Sequence, residues 1–543
     1  MAPWQLSALV SFAASVLLVQ LAPQLSISAS YVRAFLATFG LQLLIWAVWT
    51  VLIYPKLWSP LRHLPHPTNA SFFNGHFKLI ASETTGKPQQ EWINEIPNDG
   101  LIRYTALFNR ERLLLTNSRA LGEVLVQKNY DFIKPDQLRQ GLGRLLGIGV
   151  LLAEGEEHKS QRKNLMPAFA FRHIKDLYPV FWTKSCEMTQ AIMSEVSEKS
   201  NAEQKSSSAA VEVAQWASRA TLDIIGLAGM GHDFNAIQNP NTELSTTYRK
   251  VFQPTREAQI LGMISLFVPM WIVRALPVQR NDDIAAATST IRRVCRQLIH
   301  QKQEKLDKEE RVDIDILSVA LESGGFSEEN LVDQLMTFLA AGHETTATAL
   351  TWAIYMMCKH PEIQTRLRAE VREYLPSPED SSSTVTDKVL DKLPYLHAVC
   401  SEVLRVYSPA PLTLREAAKD TSIIGEFVPK GTRIIIAPAA VNLSRELWGD
   451  DASKFDPDRW MGPRRTNNGG AESAYAFLTF LHGPRSCIGQ AFARAEFACL
   501  LAATVGRFEM ELEDKDFVVE VKGVITARPK DGLRVVMRPV EGW

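Results

Sequence analysis

Six cysteines, Cys186, Cys295, Cys358, Cys400, Cys487 and Cys499, are scattered along a 543-residue chain with no CxxC pair and no Cys/His cluster at zinc spacing. In a chain this long they do not make a disulfide framework. Five of them sit in helical patterns as small apolar residues. Cys487 differs: it lies in Phe480-Leu-His-Gly483-Pro-Arg485-Ser-Cys487-Ile-Gly489, ahead of the helical run Gln490–Leu501. A cysteine just before a helix start gains thiolate stability from the helix dipole and its free backbone N–H groups. Gly483 permits a tight turn, Gly489 lets a flat group approach the backbone, and Arg485 can pair with a carboxylate. Taken alone, the same residues also describe a buried cysteine in a glycine-rich turn.

Three further constellations could do chemistry. Glu402 and Arg405, at i and i+3, share a helix face and can pair, and Arg459 follows in Phe455-Asp-Pro457-Asp-Arg459-Trp460. In Ala341-Gly342-His343-Glu344-Thr345-Thr346, an acid beside a threonine on an apolar helix is costly unless it has partners or a task. Gly342 there weakens the helix and leaves room for something bulky. The plainer reading is a packing glycine and a threonine bonded back to its own helix. The third is His158 and Arg162 in Glu154–Lys163, with Arg415 in Leu414-Arg415-Glu416-Ala417. Singly, each of these bases reads as an ordinary surface residue.

Together and in this order, these segments resemble the cytochrome P-450 family. The cysteine loop resembles FxxGxRxCxG at all five fixed positions, and the others resemble its ExxR helix with the later Pro/Arg segment, its AGx(D/E)T(T/S) element and its WxxxR helix. In the last, His158 stands where the pattern has Trp. The resemblance implies a mainly α fold with small β-sheets, with haem lying between a long central helix and the Cys-ligand loop. It implies that Cys487 is the axial ligand of the iron, with Phe480 beside its sulfur and Gly489 close to the ring. Arg485, Arg162, His158 and Arg415 are then haem-propionate ligands. Glu344 and Thr345 handle protons for dioxygen, and Glu402, Arg405 and Arg459 form a buried ionic triad that shapes the core. The implied chemistry is insertion of one oxygen atom into an apolar small molecule, since thiolate donation favours O–O cleavage. Electrons come from NADPH through a separate, membrane-bound NADPH–cytochrome reductase, because no flavin or nicotinamide domain is attached. The linker and loop style are most similar to microsomal fungal enzymes that tailor secondary metabolites. The alternatives are a haem-thiolate isomerase or dehydratase that does not use dioxygen, a fatty-acid or xenobiotic hydroxylase, and a non-enzymatic haem sensor. The intact Glu344-Thr345 pair argues against the first and the last.

The elements that must position these residues are partly legible. Leu331–His360 reads as one helix of roughly 45 Å, ended by Pro361. Its Asp333, His343 and Glu344 argue for burial in a globular domain over a membrane span. Arg112–Leu115 and Arg433–Ala437 read as strands, while Ser197–Ser208, Ser377–Thr386 and Arg464–Ser473 read as surface loops. Phe35–Ile53 gives 19 residues without charge, close to the ~20 that span a bilayer. Trp46, Trp49 and Tyr54 suit an interfacial belt, followed by Lys56 and Arg62. An earlier run, Leu6–Leu21, reads as a second span, a signal-like segment or an interfacial helix; the lack of a preceding Lys or Arg argues against cleavage. Tyr54–Pro67, with four prolines, reads as a stiff linker. The domain reading is therefore an anchor and linker over 1–58 and a haem-thiolate catalytic domain over 59–543. It places the protein at the endoplasmic reticulum membrane with the catalytic domain facing the cytosol, where the sequons at Asn69 and Asn442 go unused. With 59 basic against 60 acidic residues there is no charge excess that would draw nucleic acid.

Overall fold

The computed structural model describes residues 3–21, 24, 30–203, 208–252, 255–265, 268–308, 315–380, 384–462, 468–523 and 526–543. The long helix runs Glu328–Lys359. Ser327 caps it by accepting from the Asn330 N–H, and Glu328 and Glu329 occupy the first turn, where the helix dipole favours negative charge. Pro361 opens the next helix, Pro361–Tyr374. The long helix packs against Val213–Met230, Gln279–Asp307 and Gln490–Arg507. That enclosure is why it is apolar on nearly every face. Gly342 packs as in the plainer sequence reading: a Cβ there would lie 2.9 Å from Ile225 Cγ1, so the residue serves the close approach of Val213–Met230.

The two runs read as strands become Glu111–Leu115 and Arg433–Ile436, and they are parallel neighbours with Arg112 opposite Arg433. They form the middle of a five-stranded sheet in the order Leu101–Thr105, Glu111–Leu115, Arg433–Ile436, Thr413–Ala417, Phe132–Ile133. Leu113, Leu115, Ile434 and Ile436 are fully buried there, in an apolar core separate from that of the helices. The sheet carries Arg415 inward, opposite Ile434.

Two loop assignments change. Ser197–Glu203 continues the helix Tyr178–Glu203, where Lys199 pairs with Glu195 one turn back and donates to the Ala210 carbonyl; residues 204–207 lie outside the described residues, as do 381–383 and 464–467 of the other two stretches. The linker is also shorter than its prolines suggest. Helix Tyr31–Val48 carries on through Pro55 as a wide turn, Trp49–Trp58, in which the Ser59 N–H reaches the Tyr54 carbonyl at 2.8 Å. Pro55 lies inside this turn with no N–H to donate, and nearby the Val51 carbonyl accepts from Asn109 Nδ2 at 2.9 Å. Leu61 and Leu64 then pack into the sheet core. The Asn442 sequon is sealed inside: its amide donates to the Arg405 carbonyl and Thr479 and accepts from the Leu478 N–H.

Candidate active site

The cysteine loop is closed by the Cys487 N–H donating to the Phe480 carbonyl at 2.8 Å. Gly483 makes this possible: its φ is +75°, and a Cβ would lie 2.3 Å from the Leu125 carbonyl oxygen. The Cys487 side chain is exposed, yet burial is the largest influence on its thiol and pushes its pKa up, opposed by the Gly489 backbone and the Arg162 charge. The Cys487 thiol thus keeps an open side while lying among protein atoms. The other five cysteines lie on helices, and burial pushes their thiols up, opposed by the Arg292 charge at Cys295 and the Arg494 charge at Cys400. Gly489 has φ −89°, and a Cβ there would meet Phe169 at an ordinary 3.7 Å.

Next to the loop lies a buried cluster of bases. Arg485 bonds Glu154 and stacks its guanidinium 5.0 Å from the Tyr130 ring centre, while its Nε is buried without a partner. Arg415, 3% exposed, bonds only close to itself in the chain, to Thr413 Oγ1 and the Leu414 carbonyl. His158 is held by the Tyr130 hydroxyl at 3.1 Å through Nδ1. Burial, then the charges of Arg485, Lys134, Arg162 and Arg415, push its pKa down to about 3. Lys134, 7% exposed, is likewise pushed well down by burial and then by Arg415. Glu154 is the carboxylate that counters these charges. Buried positive charge in such excess is unfavourable by itself and suits an anionic guest with more than one carboxylate. Arg162 reaches the cysteine loop itself. Its guanidinium bonds the Ser486 carbonyl at 2.7 Å and the Ser486 hydroxyl at 3.2 Å, fastening the cysteine loop.

On the long helix, Ala341, Gly342 and Thr345 are half-buried within a stretch that is otherwise buried. With Phe338 they are spaced i, i+3, i+4, i+7, along one face. Phe338 meets Phe169 edge-on at 5.4 Å, and Phe169 is also the group nearest Gly489, so this face looks toward the cysteine loop. The Thr345 hydroxyl donates to the Ala341 carbonyl at 2.9 Å, as in the plainer sequence reading. Glu344, buried, accepts from Thr526 Oγ1 and Arg528 Nη1, each at 3.1 Å. Behind the loop, Arg405 grips Glu402 through two bonds of 2.8 and 2.7 Å, both residues fully buried. Arg405 also donates to the carbonyls of Asn442, Ala452 and Lys454. Trp460 Nε1 and the Asp456 N–H complete the carboxylate of Glu402. Arg459 approaches it at 3.8 Å but bonds Asp451 more closely, at 2.9 Å.

A family model for cytochrome P-450 matches residues 65–535. The chain is a cytochrome P-450. This P-450 is 47% identical over 537 residues to cytochrome P-450 monooxygenase sphH of Aspergillus fumigatus, covering 96% of this chain and 98% of that one. It is 44% identical to cytochrome P-450 monooxygenase FUM15 of Gibberella moniliformis, over 91% of each chain. Likeness of 44% extends also to cytochrome P-450 monooxygenase ALT8 of Alternaria alternata, over 92% of this chain and 93% of the relative. The P-450 is thus a monooxygenase of a haem family, and its site fits that group. The open Cys487 thiol and, beside it, the base cluster with its unpartnered Arg485 Nε suit an iron cofactor that carries carboxylates. Sequence reasoning missed Lys134, Tyr130, Thr526 and Arg528. None stands at a motif spacing; Lys134 joins the cluster from beside the edge strand Phe132–Ile133, which only the sheet brings near Arg415.

Proposed function

We propose that this P-450 inserts one oxygen atom from dioxygen into an apolar small molecule in secondary-metabolite biosynthesis, anchored to the endoplasmic reticulum membrane by residues 1–58. In this reading the domain 59–543 faces the cytosol and takes electrons from NADPH through a separate NADPH–cytochrome reductase. The observation that carries it is the Cys487 thiol, turned inward beside buried bases that outnumber their carboxylate. When bound, haem supplies dioxygen activation, and thiolate donation to its iron favours O–O cleavage.

The chain's own residues do the rest. Cys487 ligates the iron, and Arg162, fixed on Ser486, lends a positive charge that favours the thiolate. Arg485, Arg415, His158 and Lys134 hold the propionates. Phe480 fixes the Cys487 backbone, and Gly489 keeps the approach clear. The face of Phe338, Ala341 and Thr345 excludes water and offers an apolar wall to the substrate. The Thr345 hydroxyl and the Glu344 carboxylate, countered by Arg528, take up and hand on protons, which requires hydrogen-bond reach of about 2.6–3.2 Å or one intervening water. Glu402, Arg405 and Arg459 brace the core behind the loop. The fungal relatives, each named a monooxygenase, support the class of reaction. The test is Cys487→Ala, read in the spectrum of the reduced, carbon-monoxide-bound protein. The thiolate-type Soret band disappears in the variant; a band that persists assigns the ligand to another cysteine and overturns the site.

A further inference from the structure

The two N-terminal helices carry their polarity inside out. Helix Pro3–Leu21 packs along Tyr31–Val48, and the residues sealed between them are small and largely polar: Ser11 is 0% exposed, Ser15 2% and Ala34 4%. The Thr38 hydroxyl lies in this seam, 3.3 Å from the Ser11 carbonyl and 2.9 Å from the Ala34 carbonyl. An antiparallel pair with Thr38 level with Ser11 puts Ser15 level with Ala34 and Ser7 level with Gln42, so the polar positions run down the shared face. The outward faces carry Leu9, Phe12, Leu17, Leu36, Leu44 and Trp46, each more than half exposed.

In water a helical hairpin does the reverse, hiding its leucines and showing its serines. Helices surrounded by hydrocarbon gain nothing by hiding apolar side chains; they associate through small residues that let the backbones approach and through hydroxyl bonds across the seam. The lengths agree with that solvent. Pro3–Leu21 has 19 residues and no charged side chain, and it extends roughly 28 Å at 1.5 Å per residue, against a hydrocarbon core of about 30 Å. The apolar helix Tyr31–Trp58 has 28 residues, enough to cross with its last turns emerging. Lys56 and Arg62 mark the exit toward the haem domain, against the single Arg33 near the opposite end.

We propose that Pro3–Leu21 and Tyr31–Trp58 form a two-span hairpin whose outer surface meets the hydrocarbon core of a bilayer. Both outer ends of the hairpin, the Pro3 end and the Trp58 end, then lie on the haem-domain side, with Leu21 and Tyr31 across the membrane. This rests on the membrane-anchor reading above and assigns the first apolar run to a second crossing. The test uses the full chain in sealed microsomes, with one epitope ahead of the first helix and, in a second version, one inserted between Leu21 and Tyr31. Protease added outside, followed by alkaline carbonate extraction, reads the topology. The hairpin gives a leading epitope digested along with the haem domain, an inserted epitope protected until the vesicles are opened, and a helical fragment that stays in the pellet. A protected leading epitope means one crossing and overturns the hairpin while leaving the anchor. Digestion of both epitopes means that neither helix crosses, which also overturns it. Release of the whole chain by carbonate overturns the anchor reading itself.

Discussion

His158 is kept neutral by its surroundings, and that has a measurable consequence. Burial and the charges of Arg485, Lys134, Arg162 and Arg415 bring its pKa from the ordinary 6.5 to about 3. In the unfolded chain the imidazole takes a proton as pH falls through about 6.5; in the folded chain it does not until pH nears 3. Between those values the unfolded state binds more protons, so this residue lowers stability as pH falls, by up to about 1.4 kcal/mol per pH unit. Above about 6.5 it contributes no pH dependence. His158→Gln therefore loses stability less steeply than the parent on going from about pH 6 to about pH 5, measured by thermal unfolding of the apoprotein; parallel losses would show that His158 is already protonated in the fold. At this scale the sequence was informative wherever a side chain belongs to a short motif. Cys487, Arg485, Glu402 and Arg405 stand at fixed spacings, and the structure brings each into a specific contact. Lys134, Tyr130 and Arg528 were not legible, because each reaches the site through folding of distant segments. Arg162 was legible as a base, while its bonds to Ser486 were not, since no spacing shows them.

The Pro394–Val406 helix is fastened to the segments around Asn442 and Lys454 by Arg405, whose partner Glu402 is as deeply buried. Removing one member of such a pair strands the other charge, at a cost of roughly 3–5 kcal/mol, whereas replacing both with apolar groups costs much less. Arg405→Leu is thus expected to cut folded yield and haem loading sharply, and Glu402→Leu with Arg405→Leu to recover part of both; equal loss in the single and the double variant contradicts the pairing argument. The long helix makes its own prediction through Thr345. Thr345→Ala removes the hydroxyl with little change in bulk and leaves Glu344 with Thr526 and Arg528. Haem loading and substrate binding persist, while oxygen reduction leaks to hydrogen peroxide and product per NADPH falls. Unchanged coupling would deny Thr345 a part in proton delivery. The long helix stops at the proline that marks its end in the sequence, but it starts at the Ser327 cap, ahead of the Leu331 read as its beginning; of the two strand runs, Arg433–Ala437 is rich in β-branched isoleucine and Arg112–Leu115 in leucine. Pairing between Glu111–Leu115 and Arg433–Ile436 was not legible, because about 300 residues separate them. Nor was the wide turn through Pro55, whose Val51 carbonyl is held by the distant Asn109 side chain.

In the whole molecule, two apolar cores divide the work. The helical core holds the long helix and the helix after Cys487, while the sheet core delivers Arg415 and carries the emerging N-terminal segment through Leu61 and Leu64. Bases from the sheet side and the thiol from the helical side meet at one place, which is what a flat cofactor between two layers requires. The N-terminal helices lie apart from both cores, joined to the sheet by the Arg103 and Asn109 bonds to the Pro55 and Val51 carbonyls. The central claim is that the assembled protein is a monooxygenase, and isotope labelling tests it most directly. Full-length protein is reconstituted in membranes with NADPH–cytochrome reductase and NADPH under heavy-oxygen-labelled dioxygen. The substrate is the apolar metabolite that accumulates when the gene is deleted. The account predicts a product carrying one labelled oxygen atom, formed only with dioxygen and only while NADPH is consumed. A product formed without dioxygen, or one whose new oxygen comes from unlabelled water, would contradict it and replace oxygen insertion with isomerisation or hydration.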